Sequence, residues 1–314
     1  NYPYPSRRMV AFANRGMVST AQSLAAQAGL EMLKKGGNAI DAALATAIAL
    51  TVVQPTSNGL GSDAFAILWT RGKLYGLNAS GKAPMALTPE EMAKKGHTSI
   101  PDRGLEPVTV PGAPGAWRAL SERFGRLPYA ELFQPAIQYA RDGFAVSPTV
   151  SEMWQTAAKS TFAKFRGRPE FDEWFRVFTK EGKAPRAGEV WKLPDHADTL
   201  QEIAETGSES FYRGRLAERM DASMREMGGW LRKEDLEQFE VEWVDPISVN
   251  YHGYDVCEIP PNGQGIIALM ALNMLNGLDV KATDDPLSWH RSIEAVKLAV
   301  VDAHAHVTDP RFMK

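Results

Sequence analysis

Fifteen successive residues, Ala39 to Val53, carry one charge, Asp41, among Ala, Ile, Leu, Thr and Val. A run that apolar has to be buried on most sides, so the chain must build a core around it. It is also too short for a membrane, because a span wants roughly 20 apolar residues. The flanking residues say what it is. Lys34 and Lys35 suit the last turn of a preceding helix, where cations favour the helix dipole. Gly36-Gly37 stops that helix, and Asn38 caps the next. The pattern predicts a helix over 21–35 with Leu24, Ala28 and Leu33 on one face. It also predicts a second helix over 39–52, buried all round. Ser19 and Gln22 have the spacing of a capping box for the first. Ala42, Ala43, Ala45 and Ala47 let the second helix approach its neighbours closely.

A breaker-rich loop follows, Gln54-Pro55-Thr56-Ser57-Asn58-Gly59-Leu60-Gly61-Ser62-Asp63. The apolar runs 64–69 and 73–78 around Arg71-Gly72 read as a β-hairpin. From about Thr88 to Asn250 the chain reads as mainly helical, and Thr88-Pro89-Glu90-Glu91 is a helix start. Residues 248–259 read as strands turning at His252-Gly253. After the turn Pro260-Pro261-Asn262-Gly263-Gln264-Gly265, two more helices run over 266–275 and 288–304. No linker or repeat divides the chain, so a single domain over 1–314 is expected.

Composition narrows the function. With 35 Lys+Arg against 38 Asp+Glu, the net charge of −3 gives no broad attraction to a phosphate backbone, and no nucleic-acid partner is expected. One cysteine, Cys257, excludes an internal disulfide framework and any CxxC site. Its strand-like surroundings make it a small core residue. Asp302, His304 and His306 have the look of metal ligands. On a helix, however, roughly 200° separates i from i+2, so the two imidazoles cannot grip one ion. Gly59-Leu60-Gly61-Ser62 follows a helix and lacks the third glycine of a nucleotide loop, so it reads as a tight turn. Neither G-x-S-x-G nor S-x-x-K occurs. The residue chemistry alone assembles no complete catalytic set.

A chain-long series of short motifs resembles the γ-glutamyltransferase (γ-glutamyltranspeptidase) family. It runs through Gly16-Met17-Val18-Ser19, Gly36-Gly37-Asn38-Ala39-Ile40-Asp41, Gln54-Pro55 and Val110-Pro111-Gly112-Ala113-Pro114-Gly115. It continues through Gly125-Arg126-Leu127-Pro128, Phe211-Tyr212-x-Gly214, Tyr251-x-Gly253-Tyr254 and Pro260-Pro261. The resemblance implies an α+β fold, the four-layer αββα N-terminal-nucleophile hydrolase sandwich, completed by a second, small chain cut from the same precursor. The small chain's new N-terminal Thr would be the nucleophile and its α-amine the base. This sequence resembles the large chain, so no catalytic residue is expected in it. An obligate heterodimer, or a dimer of heterodimers, is expected. The expected substrate is a small-molecule amide, with no cofactor, no metal and no membrane partner.

The departures from the family's pattern bear on substrate. Where the family typically reads Arg-Glu-x-Ala-Pro, with its Arg clamping the γ-glutamyl α-carboxylate, this chain reads Ser80-Gly81-Lys82-Ala83-Pro84. Gly61-Ser62-Asp63-Ala64 replaces a glycine run, and the Pro-Pro-x-Ser-x-Gly-like turn reads Pro260-Pro261-Asn262-Gly263-Gln264-Gly265. Loss of a bidentate clamp leaves about 1.5–3 kcal/mol of binding unmade. The expected activity is therefore hydrolysis of an oxamate- or cephalosporin-side-chain-like amide, with Ser80, Lys82, Asn78 and Asp63 binding substrate. The alternatives are a true γ-glutamyltransferase/glutathione hydrolase that holds the carboxylate with Lys82 and Ser80, and a non-catalytic binding relative. The polar, Pro-rich start, Asn1 to Arg8, lacks an apolar signal core and suggests a cytoplasmic protein, with export after signal removal as the alternative.

Overall fold

The computed structural model describes residues 10–281 and 284–313, so the polar start at Asn1 to Arg8 lies outside the described residues. They form two compact units. One comprises the residues up to Ser62 with Lys82–Phe239; the other comprises Asp63–Gly81 with Glu240 onward. The first is helical and the second carries a three-stranded sheet, so the expected α+β class holds.

In the first unit, helix α1 (Ser23–Lys34) lies against helix α2 (Ala39–Val53). The cap of α1 is Gln22 alone: its Oε1 accepts from the N–H groups of Leu24 and Ala25. Ser19 is exposed and takes no part, because the longer Gln side chain itself reaches back over the first turn. The buried face of α1 is Ala25, Ala28, Gly29 and Met32, while Leu24 and Leu33 are only half-buried. Small residues face α2 because the helices are close: a Cβ on Gly29 would sit 2.2 Å from Thr46 Oγ1 and 2.8 Å from the Ala42 carbonyl.

Helix α2 has the expected Asn38 cap in its reciprocal form. Asn38 Oδ1 accepts from Ile40 and Asp41 N–H at 2.9 and 3.1 Å, and Asp41 Oδ2 accepts from Asn38 N–H at 2.8 Å. Asp41 is 0% exposed and also accepts from the N–H groups of Arg126 (3.0 Å) and Leu127 (3.3 Å). One carboxylate thus caps a helix and ties down a loop 85 residues away. The expectation that α2 is buried all round is corrected. Ala39 and Ala43 are exposed and Ala47 and Leu50 half-buried, one stripe at helical spacing. That stripe borders a cavity of about 560 Å³ shared with residues 15–20.

Residues 89–237 are mainly helical, as the sequence predicts, but the helical reading up to Asn250 is corrected at its end, where Glu242–Val244 and Ile247–Tyr251 are strands. Their core is apolar and aromatic, with Leu132, Phe133, Trp154, Leu200, Ile203 and Leu236 fully buried. Tyr212 fastens the 110–115 motif: its hydroxyl donates to the Pro111 carbonyl and accepts from Gly115 N–H, each at 2.9 Å. Burial raises the Tyr212 pKa, so it stays a phenol. The Ser62 carbonyl accepts from Gly112 and Ala113 N–H at 3.0 and 2.9 Å, which fixes the Gly59–Ser62 turn to the start of helix Ala113–Phe124.

In the second unit, strands β1 (Ala64–Thr70) and β2 (Lys73–Ala79) form the expected hairpin. Arg71 (φ 52°) and Gly72 (φ 75°) make the two-residue turn with both φ angles positive that matches strand twist. β2 pairs on its other side with Glu242–Val244, in the register Gly76↔Val244, Leu77↔Trp243 and Asn78↔Glu242. A second hairpin, Ile247–Tyr251 with Tyr254–Glu258, turns at His252-Gly253. Cys257 is half-buried on it, where a core position was expected. Helices Gly265–Leu275 and Pro286–His306 then pack together through Ala271, Leu275, Ala295 and Ala299. No helix of the described residues is long and apolar enough to cross a membrane.

Candidate functional site

The open end of the first hairpin carries the polar residues that the sequence singles out. Asn78 is the last ladder residue facing Glu242, and it is 6% exposed. Ser80 follows one residue past the strand. Its N–H and its Oγ both reach Asn78 Oδ1, at 3.0 and 2.8 Å, in a local side-chain turn that bends the chain away from the sheet. The last β1–β2 pair is Ala64↔Ala79, so Asp63 and Ser80 are the next residues outward on the two strands. Asp63 is exposed, and no side-chain bond ties it down among the described residues.

A fourth residue joins them that sequence reasoning did not select. Asn262 Oδ1 accepts from Asn78 Nδ2 at 2.7 Å, and Asn262 Nδ2 donates to Ser80 Oγ at 2.9 Å. Gly76 allows the approach. A Cβ there would fall 2.8 Å from the Val244 carbonyl and 3.1 Å from Ile259 Cγ2, so only glycine lets β2 lie this close to the segment leading into Pro260-Pro261-Asn262. The turn departs from the family pattern at Gly263, where Ser is usual, and Asn262 stands at an unspecified position, so that departure marked the segment and not the residue. What the sequence could not supply was that this turn lands on Ser80.

Lys82 belongs to the first unit. It is exposed, and its backbone carbonyl accepts from Val110 N–H at 3.0 Å. The structure therefore brings together Asn78, Ser80 and Asn262, with Asp63 at the neighbouring strand end, while Lys82 falls in the other unit. Asp302, His304 and His306 all lie on the helix Pro286–His306, where the i, i+2 spacing splays them. Among the described residues, no group of three His, Cys, Asp or Glu side chains is placed to hold a metal.

The model of the gamma-glutamyltranspeptidase family matches residues 25–314. The chain is 36% identical over 303 residues to the glutathione hydrolase-like YwrD proenzyme of Bacillus subtilis (strain 168), covering 94% of this chain and 56% of that protein. It is also 36% identical over 308 residues to the oxamate amidohydrolase proenzyme of Klebsiella pneumoniae, covering 96% of this chain and 57% of that one. Among solved structures, it superimposes on a cephalosporin acylase from Bacillus halodurans with a TM-score of 0.95 and 54% identity. That match covers all of this chain and 59% of the acylase. The chain thus spans little more than half the length of these three relatives.

Proposed function

The chain belongs to the γ-glutamyltranspeptidase family, and on that footing we propose that it is the large-chain portion of an autoprocessed Thr-nucleophile amidohydrolase. Its substrate is a small amide whose acyl end is not held by an arginine. The Thr hydroxyl, on the small chain of the same precursor, attacks the amide carbonyl and expels the amine, and water then hydrolyses the acyl ester. The observation that carries the substrate reading is Ser80. It stands where the family's clamp would be and is tied to two asparagines instead of presenting a positive charge. The relatives named oxamate amidohydrolase and cephalosporin acylase are consistent with an acyl group other than γ-glutamyl.

A covering small chain is supported by surfaces that this chain leaves bare. In the second unit Phe65, Ile67 and Trp69 (71% exposed) line one face of β1. Trp289, Ile293 and Val301 (65% exposed) stand out on the helix Pro286–His306.

Intact-mass analysis of the full protein is expected to show a second chain beginning with Thr; an uncut precursor without that Thr would remove catalysis. On the processed enzyme, Ser80→Arg is expected to raise kcat/KM on γ-glutamyl p-nitroanilide about tenfold or more, the equivalent of about 1.4 kcal/mol of clamp. No gain would show that Ser80 is outside the acyl pocket. An unaltered enzyme that already prefers the γ-glutamyl anilide over other amides would favour the glutathione-hydrolase reading, with Lys82 as the counter-charge.

A further inference from the structure

Two of the segments that depart from the family's pattern are in contact, although Ser80 and Asn262 are 182 positions apart. Their bonds close a ring. Asn78 Nδ2 donates to Asn262 Oδ1 (2.7 Å), Asn262 Nδ2 donates to Ser80 Oγ (2.9 Å), and Ser80 Oγ donates to Asn78 Oδ1 (2.8 Å). Around the circuit each group gives one proton and takes one, with Ser80 N–H as a further donor to Asn78 Oδ1, so every dipole strengthens the next. Each amide still has a second N–H beyond the ring. Asn78 forms the buried end of the ring and Asn262 the exposed end. No charged side chain bonds to any of the three among the described residues.

We propose that Asn262, acting with Ser80, is a specificity-determining residue. Through this ring the chain reads the far end of the acyl group as a hydrogen-bond acceptor and not as a negative charge. The inference rests on the reading above, in which Ser80 lines the acyl pocket. A guanidinium gives a carboxylate two charge-assisted bonds, each roughly twice as strong as a neutral one. The amide N–H groups left over from the ring also bind a carboxylate oxygen more strongly than a carbonyl oxygen, but they bring no opposite charge and no second parallel bond. The carboxylate also loses more hydration on entering, which cancels its advantage. The substrate class is therefore amides of small acids whose acyl group ends in an oxygen acceptor, charged or neutral. The ring also fixes the Ser80 rotamer, since Asn262 Nδ2 and Asn78 Oδ1 both hold its hydroxyl.

The test uses the full processed protein and a matched pair of anilides, glutaryl p-nitroanilide and its terminal carboxamide. The unaltered enzyme is expected to turn over the two with kcat/KM values within about tenfold of each other. Asn262→Asp places a negative charge at the outer end of the ring. It is expected to raise KM for the glutaryl anilide about tenfold while moving the carboxamide less than about threefold. Asn262→Ala is expected to raise KM for both by about fivefold with little change in kcat. A preference of the unaltered enzyme for the carboxylate above about a hundredfold would overturn the inference. So would an Asn262→Asp variant that weakens both substrates equally, which is what a merely structural role produces. If neither anilide is turned over, by an enzyme that also fails on the γ-glutamyl anilide, the acyl-pocket reading itself falls and this inference with it. Turnover indifferent to Asn262→Ala sinks this inference alone.

Discussion

The two units use their polar residues in opposite ways. In the first, the motif residues bind the unit to itself. Asp41 is surrounded by the N–H groups of Asn38, Arg126 and Leu127, and Tyr212 bridges Pro111 and Gly115. In the second, the polar residues at the end of the hairpin form a neutral ring with one exposed side, and large apolar side chains face outward from β1 and from the helix Pro286–His306. Family resemblance in the first unit therefore reports on a scaffold. Variation in the second falls on the residues proposed above to meet the acyl group.

The sharpest way to break this contrast is to remove the carboxylate at the centre of the scaffold. Asp41→Ala leaves buried N–H groups from two segments without acceptors and is expected to cost about 3 kcal/mol of stability, read by chemical denaturation of the full protein. A loss under about 1 kcal/mol would mean that water takes over those bonds and that Asp41 is not central. A substitution on the bare face of the second unit should behave differently. Ile293→Asp, at an exposed position, is expected to weaken association with the small chain by about 2 kcal/mol, the worth of burying one aliphatic side chain, while near-ultraviolet circular dichroism of this chain is unchanged. Undiminished recovery of the two-chain form would show that this face stays open to water.

The smallest effect concerns His196, whose ring lies near Thr51 Oγ1 at 3.4 Å. Burial lowers its pKa to about 4, from an ordinary 6.5. The folded state therefore binds fewer protons than the unfolded chain between those values. The contribution to stability is complete above pH 6.5 and is lost as the pH falls towards 4. The ring edge is partly open to water, so the expected loss is on the order of 1 kcal/mol. His196→Asn should flatten the stability profile over that window, and a parallel slope in both proteins would assign the titration elsewhere.

Local rules made much of this legible. The Asn38 cap, the Arg71-Gly72 and His252-Gly253 turns and the helical stretch from Thr88 follow from residue type and spacing alone. Long-range pairings were not legible. Nothing around Asp41 announces Arg126 and Leu127, and the capping box drawn through Ser19 failed because a glutamine can cap by itself. Asn262 escaped notice for the same reason. A turn after two prolines has no periodicity to extend, so its place beside Ser80 is settled by how closely Gly76 lets the backbones approach.

The register of β2 also has a consequence for how the chain is made. One neighbour of β2 is β1, across a two-residue turn; the other is Glu242–Val244, roughly 160 residues further on. At about 5–20 residues per second of synthesis, the hairpin leaves the ribosome about 8–30 seconds before its second neighbour. During that interval the rest of the helical unit, Lys82–Phe239, is translated, while the hairpin waits as a two-stranded ribbon, a form that is marginal by itself in water. The three-stranded sheet is thus closed only after residues 82–239 have been made.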